Sequence, residues 1–142
     1  MSAALYLATI IGITDGDTLK VKRGDELIKI RLAEIDAPEK KQPFGARAKQ
    51  SLSDLCFGVQ AEVRPRNTDR YGRTVAHVSC RGKDASEMQL RAGMAWVYLK
   101  YSKDKSLLAI QEEARVAHRG LWSDPDPMPP WEWRHTRDAL YK

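Results

Sequence analysis

Three stretches of the chain concentrate groups able to do chemistry: Asp15-Gly16-Asp17-Thr18, the run from Arg31 to Glu39, and Asp69-Arg70-Tyr71-Gly72-Arg73. Each alone reads as ordinary turn or loop chemistry, because Gly takes positive φ cheaply and Asp caps its own backbone. Together they supply the parts that phosphodiester hydrolysis requires. Carboxylates such as Asp17 and Asp36, with a backbone carbonyl, are hard oxygen ligands for Ca²⁺ or Mg²⁺ and offer nothing soft to zinc or copper. Such a cation polarises a phosphoryl oxygen and positions a water, and a carboxylate outside its direct shell, here Glu39, can take a proton from that water. The guanidinium forks of Arg31 and Arg73 match phosphate oxygens and stay charged at any working pH, so they can neutralise charge growing at phosphorus. One preorganised donor typically supplies only about 10² to 10³ in rate, whereas enzymes reach about 10¹⁷ on slow reactions. The three stretches are therefore expected to converge.

The elements between them must do the positioning. From the start to about Pro65 the apolar period is two. Leu19 and Val21 alternate with Lys20 and Lys22, and Ile28, Ile30 and Leu32 alternate with Lys29 and Arg31, so a hairpin turning at Gly24-Asp25 is expected. Its alternation sets Arg31 on the face opposite Ile30 and Leu32. Ala3–Thr14 reads as an earlier strand, Val59–Val63 as a fourth and Val75–Cys80 as a fifth. Helical spacing marks 46–57, through Ala48, Leu52, Leu55 and Cys56 with Gly58 as the stop. A short helix opens at Asp84, whose partner Glu87 makes a capping pattern, and closes at Gly93. A third covers about Ser106–Arg119. Four of the seven prolines then fall in Asp124–Pro130. An irregular tail over 123–142 is expected, pinned to the surface by Trp122, Trp131 and Trp133. The predicted architecture is α+β, mainly β: a five-stranded barrel with three helices over residues 1–122, and that tail.

Composition sets the outer bounds. A chain of 142 residues, 42% hydrophobic and 30% charged, makes one domain with a real core. A net charge of +5 and a pI near 9.3 suit a polyanionic partner. The longest apolar stretch, Ala3–Ile13, is too short for a bilayer span and lacks a basic leader, so neither a membrane protein nor an intact secretory signal is expected. Cys56 and Cys80 are too few for a disulfide scaffold and wrongly spaced for zinc, which leaves one bridge between them open. His77, His118 and His135 have no metal-ligand spacing.

From about Ile10 to Trp122 the sequence resembles the staphylococcal nuclease-like (thermonuclease) family. The resemblance rests on the Asp-Gly-Asp-Thr turn at Asp15–Thr18, the Arg-x-x-x-x-Asp-x-Pro-Glu pattern at Arg31–Glu39 and the Asp-x-Tyr-Gly-Arg pattern at Asp69–Arg73. It implies a five-stranded OB-type barrel carrying three helices. It implies Asp17 and Asp36 as calcium ligands, with the backbone carbonyl of Ala37, where the best-known member has threonine. Arg31 and Arg73 become the phosphate arginines, Glu39 the water-activating base and Tyr71 a nucleotide contact; Tyr101, with Tyr98 close by, matches a second nucleotide contact. The segment Lys40–Gly45 is shorter than that member's lysine-rich loop, so the substrate groove differs in shape. The implied activity is a calcium-dependent endonuclease on DNA and RNA. It favours single strands with low sequence specificity and leaves 3′-phosphate ends; a monomer is expected, in a secreted or periplasmic setting with the signal absent from this chain, or else in the cytoplasm. The rival readings are a non-catalytic single-stranded nucleic-acid-binding OB module and a partner-binding domain whose clusters are only turns. The first has no use for three acids beside the arginines, since their charge repels phosphate.

Overall fold

The structure, a computed structural model, describes residues 4–140, apart from the side chains of 137–140. The first residue of the expected Ala3–Thr14 strand and the last two of the 123–142 tail lie outside the described residues.

The period-two segments fold as expected. Strand β1 (Tyr6–Asp15) pairs antiparallel with β2 (Thr18–Arg23), and β2 with β3 (Glu26–Leu32) across the Gly24-Asp25 turn. After the two-residue β4 (Ile35–Asp36) and helix α1 (Gly45–Cys56), strand β5 (Gln60–Thr68) returns to β1 and pairs with β6 (Thr74–Cys80). A parallel pairing of β3 with β6 closes the sheet into a five-stranded mixed barrel. Its inward side chains, among them Ile10, Leu19, Val21, Ile30, Val63 and Val78, are fully buried. Each contributes roughly 1.5–3 kcal/mol through apolar burial.

The rest of the chain covers this barrel. The two-residue β7 (Lys83–Asp84) leads into α2 (Ala85–Arg91), whose N-cap Asp84 accepts from the Glu87 N–H at 2.9 Å. The two-residue β8 (Trp96–Val97) pairs with β4, and α3 (Lys105–Val116) starts on Asp104, which accepts from Ser106 and Leu107 N–H groups. The bridge left open in the sequence is formed: Cys56 at the end of α1 is bonded to Cys80 at the end of β6. One expectation is corrected. The segment expected to be irregular contains a fourth helix, α4 (Pro130–Leu140), after a short 3-10 turn at Gly120–Ser123. Pro130 is the cause, because its fixed φ and missing N–H suit the first helical position. Among the described residues no helix is long and apolar enough to cross a membrane.

Candidate active site

The Asp15–Thr18 turn joins β1 to β2, and its position follows from packing. A Cβ on Gly16 would lie 2.6 Å from the Ala48 Cβ and 2.9 Å from the Ala37 Cβ. The glycine is therefore required for close approach, not for the positive φ expected of it, which it does not adopt. Gln89 of α2, fully buried, clamps the same turn: its side-chain amide donates to the Gly16 carbonyl at 2.7 Å and the Ala48 carbonyl at 2.9 Å. Its own oxygen accepts from Ser51 Oγ. Nothing in the one-dimensional pattern marks Gln89, which sits on the apolar face of a helix.

Asp17 is thereby fixed as a buried carboxylate. One oxygen accepts from Thr18 Oγ1 at 2.9 Å and the other from the Ala37 N–H at 2.7 Å, so the first and second motifs touch directly. Arg31, projecting from β3, completes the junction. Its Nη2 lies 3.4 Å from Asp17 Oδ2 and 3.2 Å from Asp36 Oδ1, while Nη1 donates to the Leu32 and Ile35 carbonyls. Both acids thus stand within reach of a single nitrogen.

Electrostatics differ across the acids. Burial acts to raise the Asp17 carboxyl, but the Arg31 guanidinium and the hydrogen bonds it accepts hold it below the usual carboxylate range. Burial, with the charge of Asp17 beside it, pushes Asp15 up to about 7. Asp36 is also raised, by burial first and by Asp17, against the pull of arginines 31 and 134. Among the described residues no three Asp, Glu, His or Cys side chains stand close enough to cage an ion as they are. By type, however, the donors fit a hard cation: Asp17, Asp36 and the Ala37 carbonyl offer oxygen alone.

Glu39 follows on a loop folded back on itself. Its N–H donates to Gln42 Oε1 at 3.0 Å, and a Cβ on Gly45 would collide with the Glu39 carbonyl, so the turn into α1 tolerates no side chain there. Gln42 in turn donates to the Met128 carbonyl at 2.7 Å, tying this loop to the segment before α4.

Arg73 comes from the β5–β6 connection. Arg31 pairs with Val75 across the barrel closure, and Arg73 lies two residues before Val75, just ahead of β6. Its side chain is held by Asp69, Nε to Oδ2 at 2.8 Å. Tyr71 is two-thirds exposed at the tip of that connection, with the Arg70 and Arg73 guanidinium carbons 5.0 and 5.4 Å from its ring centre. Tyr101 is equally exposed and meets Tyr98 edge-on at 5.0 Å. Tyr98 lies deeper, with the guanidinium carbons of Arg31 and Arg134 about 6 Å from its ring centre.

Sequence reasoning missed Arg134. It projects from α4 onto Asp36, Nη2 to Oδ2 at 2.6 Å and Nη1 to Oδ1 at 3.2 Å, and reaches Glu39 Oε1 at 3.3 Å. The available signal was Pro130 as a helix start, which places Trp131 and Arg134 three apart on one helical face.

The family described as staphylococcal nuclease homologue matches residues 29–124. An uncharacterized endonuclease of Escherichia coli O157:H7 is 43% identical over 129 residues, which cover 90% of this chain and 84% of that protein. A micrococcal nuclease of Shigella flexneri is 40% identical over 140 residues, covering 91% of this chain and 80% of its own. A staphylococcal-like nuclease of Arabidopsis thaliana is 40% identical over 109 residues, 77% of this chain and 34% of its own length.

Proposed function

Since this chain belongs to the staphylococcal nuclease family and is a nuclease of the endonuclease type, we propose that it is a calcium-dependent enzyme cutting DNA and RNA. It prefers single strands, has little sequence specificity and leaves 3′-phosphate ends. The observation that carries this reading is the meeting of Asp17 and Asp36 at one nitrogen of Arg31, which brings two acids distant in the chain to one phosphate-compatible cation. Asp17, Asp36 and the Ala37 carbonyl would hold Ca²⁺, which supplies polarisation of a phosphoryl oxygen and orientation of a water.

The chain's own groups do the remainder. Glu39 takes the proton from the attacking water as that water adds to phosphorus in line with the departing 5′-oxygen. Arg31 and Arg73 hold the phosphoryl oxygens and stabilise charge building there. Tyr71, exposed between two guanidinium groups, stacks on a base, with Tyr101 a second platform; stacking tolerates any sequence. Because backbone phosphates supply most of the affinity, binding weakens steeply with salt. The reading sets a monomeric enzyme in an oxidising compartment outside the cytoplasm, which the Cys56–Cys80 bond supports.

The test uses single-stranded DNA and RNA with and without a chelator, Ca²⁺ being added back, and analysis of the product ends. Cleavage is expected to vanish on chelation and return with Ca²⁺, leaving 3′-phosphates. Cutting that ignores the chelator would end the calcium mechanism, and 3′-hydroxyl products would end the proposed direction of attack.

A further inference from the structure

Arg134 stands where the proposed chemistry needs its acids free. Of the two Asp36 oxygens, Oδ1 accepts from Arg31 and from Arg134 Nη1, and Oδ2 accepts from Arg134 Nη2 at 2.6 Å. The same guanidinium meets Glu39 Oε1 at 3.3 Å and the Tyr98 hydroxyl at 3.4 Å. A carboxylate engaged in this two-pronged way is closed to a cation approaching the same oxygens, and a second positive charge beside the first would be repelled.

This placement is built into the fold. Pro130 is buried at the start of α4. Trp131 lies parallel to Tyr98, ring centres 5.6 Å apart, and edge-on to Trp96 at 5.8 Å, while Trp96 packs on Trp122 at 4.4 Å. The Gln42 bond to the Met128 carbonyl fixes the approach to the helix. One helical turn after Trp131, on the same face, comes Arg134. An aromatic anchor and a buried proline thus aim one guanidinium at two acids that lie 98 and 95 residues away in sequence.

We propose that Arg134 is a built-in competitor for the cation: α4 closes the site by placing its guanidinium on Asp36 and Glu39, and the divalent ion binds as that side chain withdraws. The inference rests on the nuclease reading, from which the roles of Asp36 and Glu39 come. By linkage, whatever holds Arg134 in place weakens cation binding by the same factor that the cation weakens its hold.

The test is calorimetric titration of Ca²⁺ into the full-length protein and its variants R134A, R134Q and W131A, with thermal unfolding followed in chelator and in Ca²⁺. Hydrogen bonds to a charged group set the scale, so R134A and R134Q should each bind Ca²⁺ about tenfold to a hundredfold more tightly. Both should also show a larger rise in Tm on adding Ca²⁺ than the parent. W131A, which loosens the aim and keeps the charge, should fall between. R134Q keeps a polar side chain of similar reach, so a folding defect peculiar to R134A leaves the comparison intact. Unchanged or weaker Ca²⁺ binding in both Arg134 variants would overturn the proposal; weaker cleavage through a raised KM alone would make Arg134 a substrate contact instead. If the parent binds Ca²⁺ and cuts while the variants match it in affinity, this inference falls alone. If neither parent nor variants bind Ca²⁺ or cut, the nuclease mechanism falls with it.

Discussion

Glu39 and the two motif arginines call for different experimental signatures, because their surroundings differ. Glu39 is set by its loop, through the Gln42 bond and the close approach of Gly45, so Glu39→Gln should leave the backbone in place. Turnover should drop about 10²- to 10⁴-fold while nucleotide binding changes little; single-turnover rates and a fluorescence titration measure the two separately, and full activity would put the base elsewhere. Arg31 carries structure as well as charge, bonding two carbonyls and two carboxylates. Lysine is a point charge without the fork, so Arg31→Lys should lower both turnover and Tm. Arg73 is bound mainly to Asp69 on a partly exposed connection. Arg73→Lys should therefore cost about 10²- to 10³-fold in turnover with Tm nearly unchanged, and equal losses of stability in the two variants would contradict these separate roles. These residues were legible in the sequence because their types and spacing are chemical. Gln89 was not, since a glutamine gains its meaning only from the Gly16 and Ala48 carbonyls it meets.

At the level of elements, helix α2 shows how a titrating group enters stability. Asp84 caps the helix and also faces His77, whose other ring nitrogen lies 3.2 Å from Glu34. Burial alone would raise the Asp84 carboxyl, but the His77 hydrogen bond and the helix N–H groups outweigh it and hold it below the ordinary range. The folded state therefore binds fewer protons than the unfolded one, whose carboxyl titrates near about 3.9. The stabilisation is present above that pH and drains away as pH falls through the lower, folded value. Asp84→Ala should cost about 1 kcal/mol near neutrality, with the gap to the parent closing as pH falls below the range in which the unfolded carboxyl titrates, as urea unfolding across a pH series would reveal. A gap independent of pH would leave only the cap. The five long strands could be read from alternation because each buries one face. The paired dipeptides at β4, β7 and β8 have no period to detect. Helix α4 was hidden because prolines that forbid a helix within Asp124–Pro129 permit one from Pro130 onward.

Across the whole molecule, the Cys56–Cys80 bond joins helix α1 to the barrel over a separation of 24 residues. Closing a loop of that size restricts the unfolded chain by about 3 kcal/mol. A Cys56→Ala/Cys80→Ala variant should melt roughly 10 °C lower and retain the cleavage pattern of the parent, because both sulfurs are buried in the apolar core; altered product ends would refute this. The barrel's closing seam has a wider consequence. The strand that carries Arg31 meets the strand that follows Arg73 only when β3 pairs in parallel with β6, a contact that, like that of β1 with β5, no hairpin can deliver. A nascent or nicked polypeptide, however much helix and hairpin it holds, would carry scattered charges and no cutting edge, so hydrolysis would report the finished circuit of strands and nothing short of it.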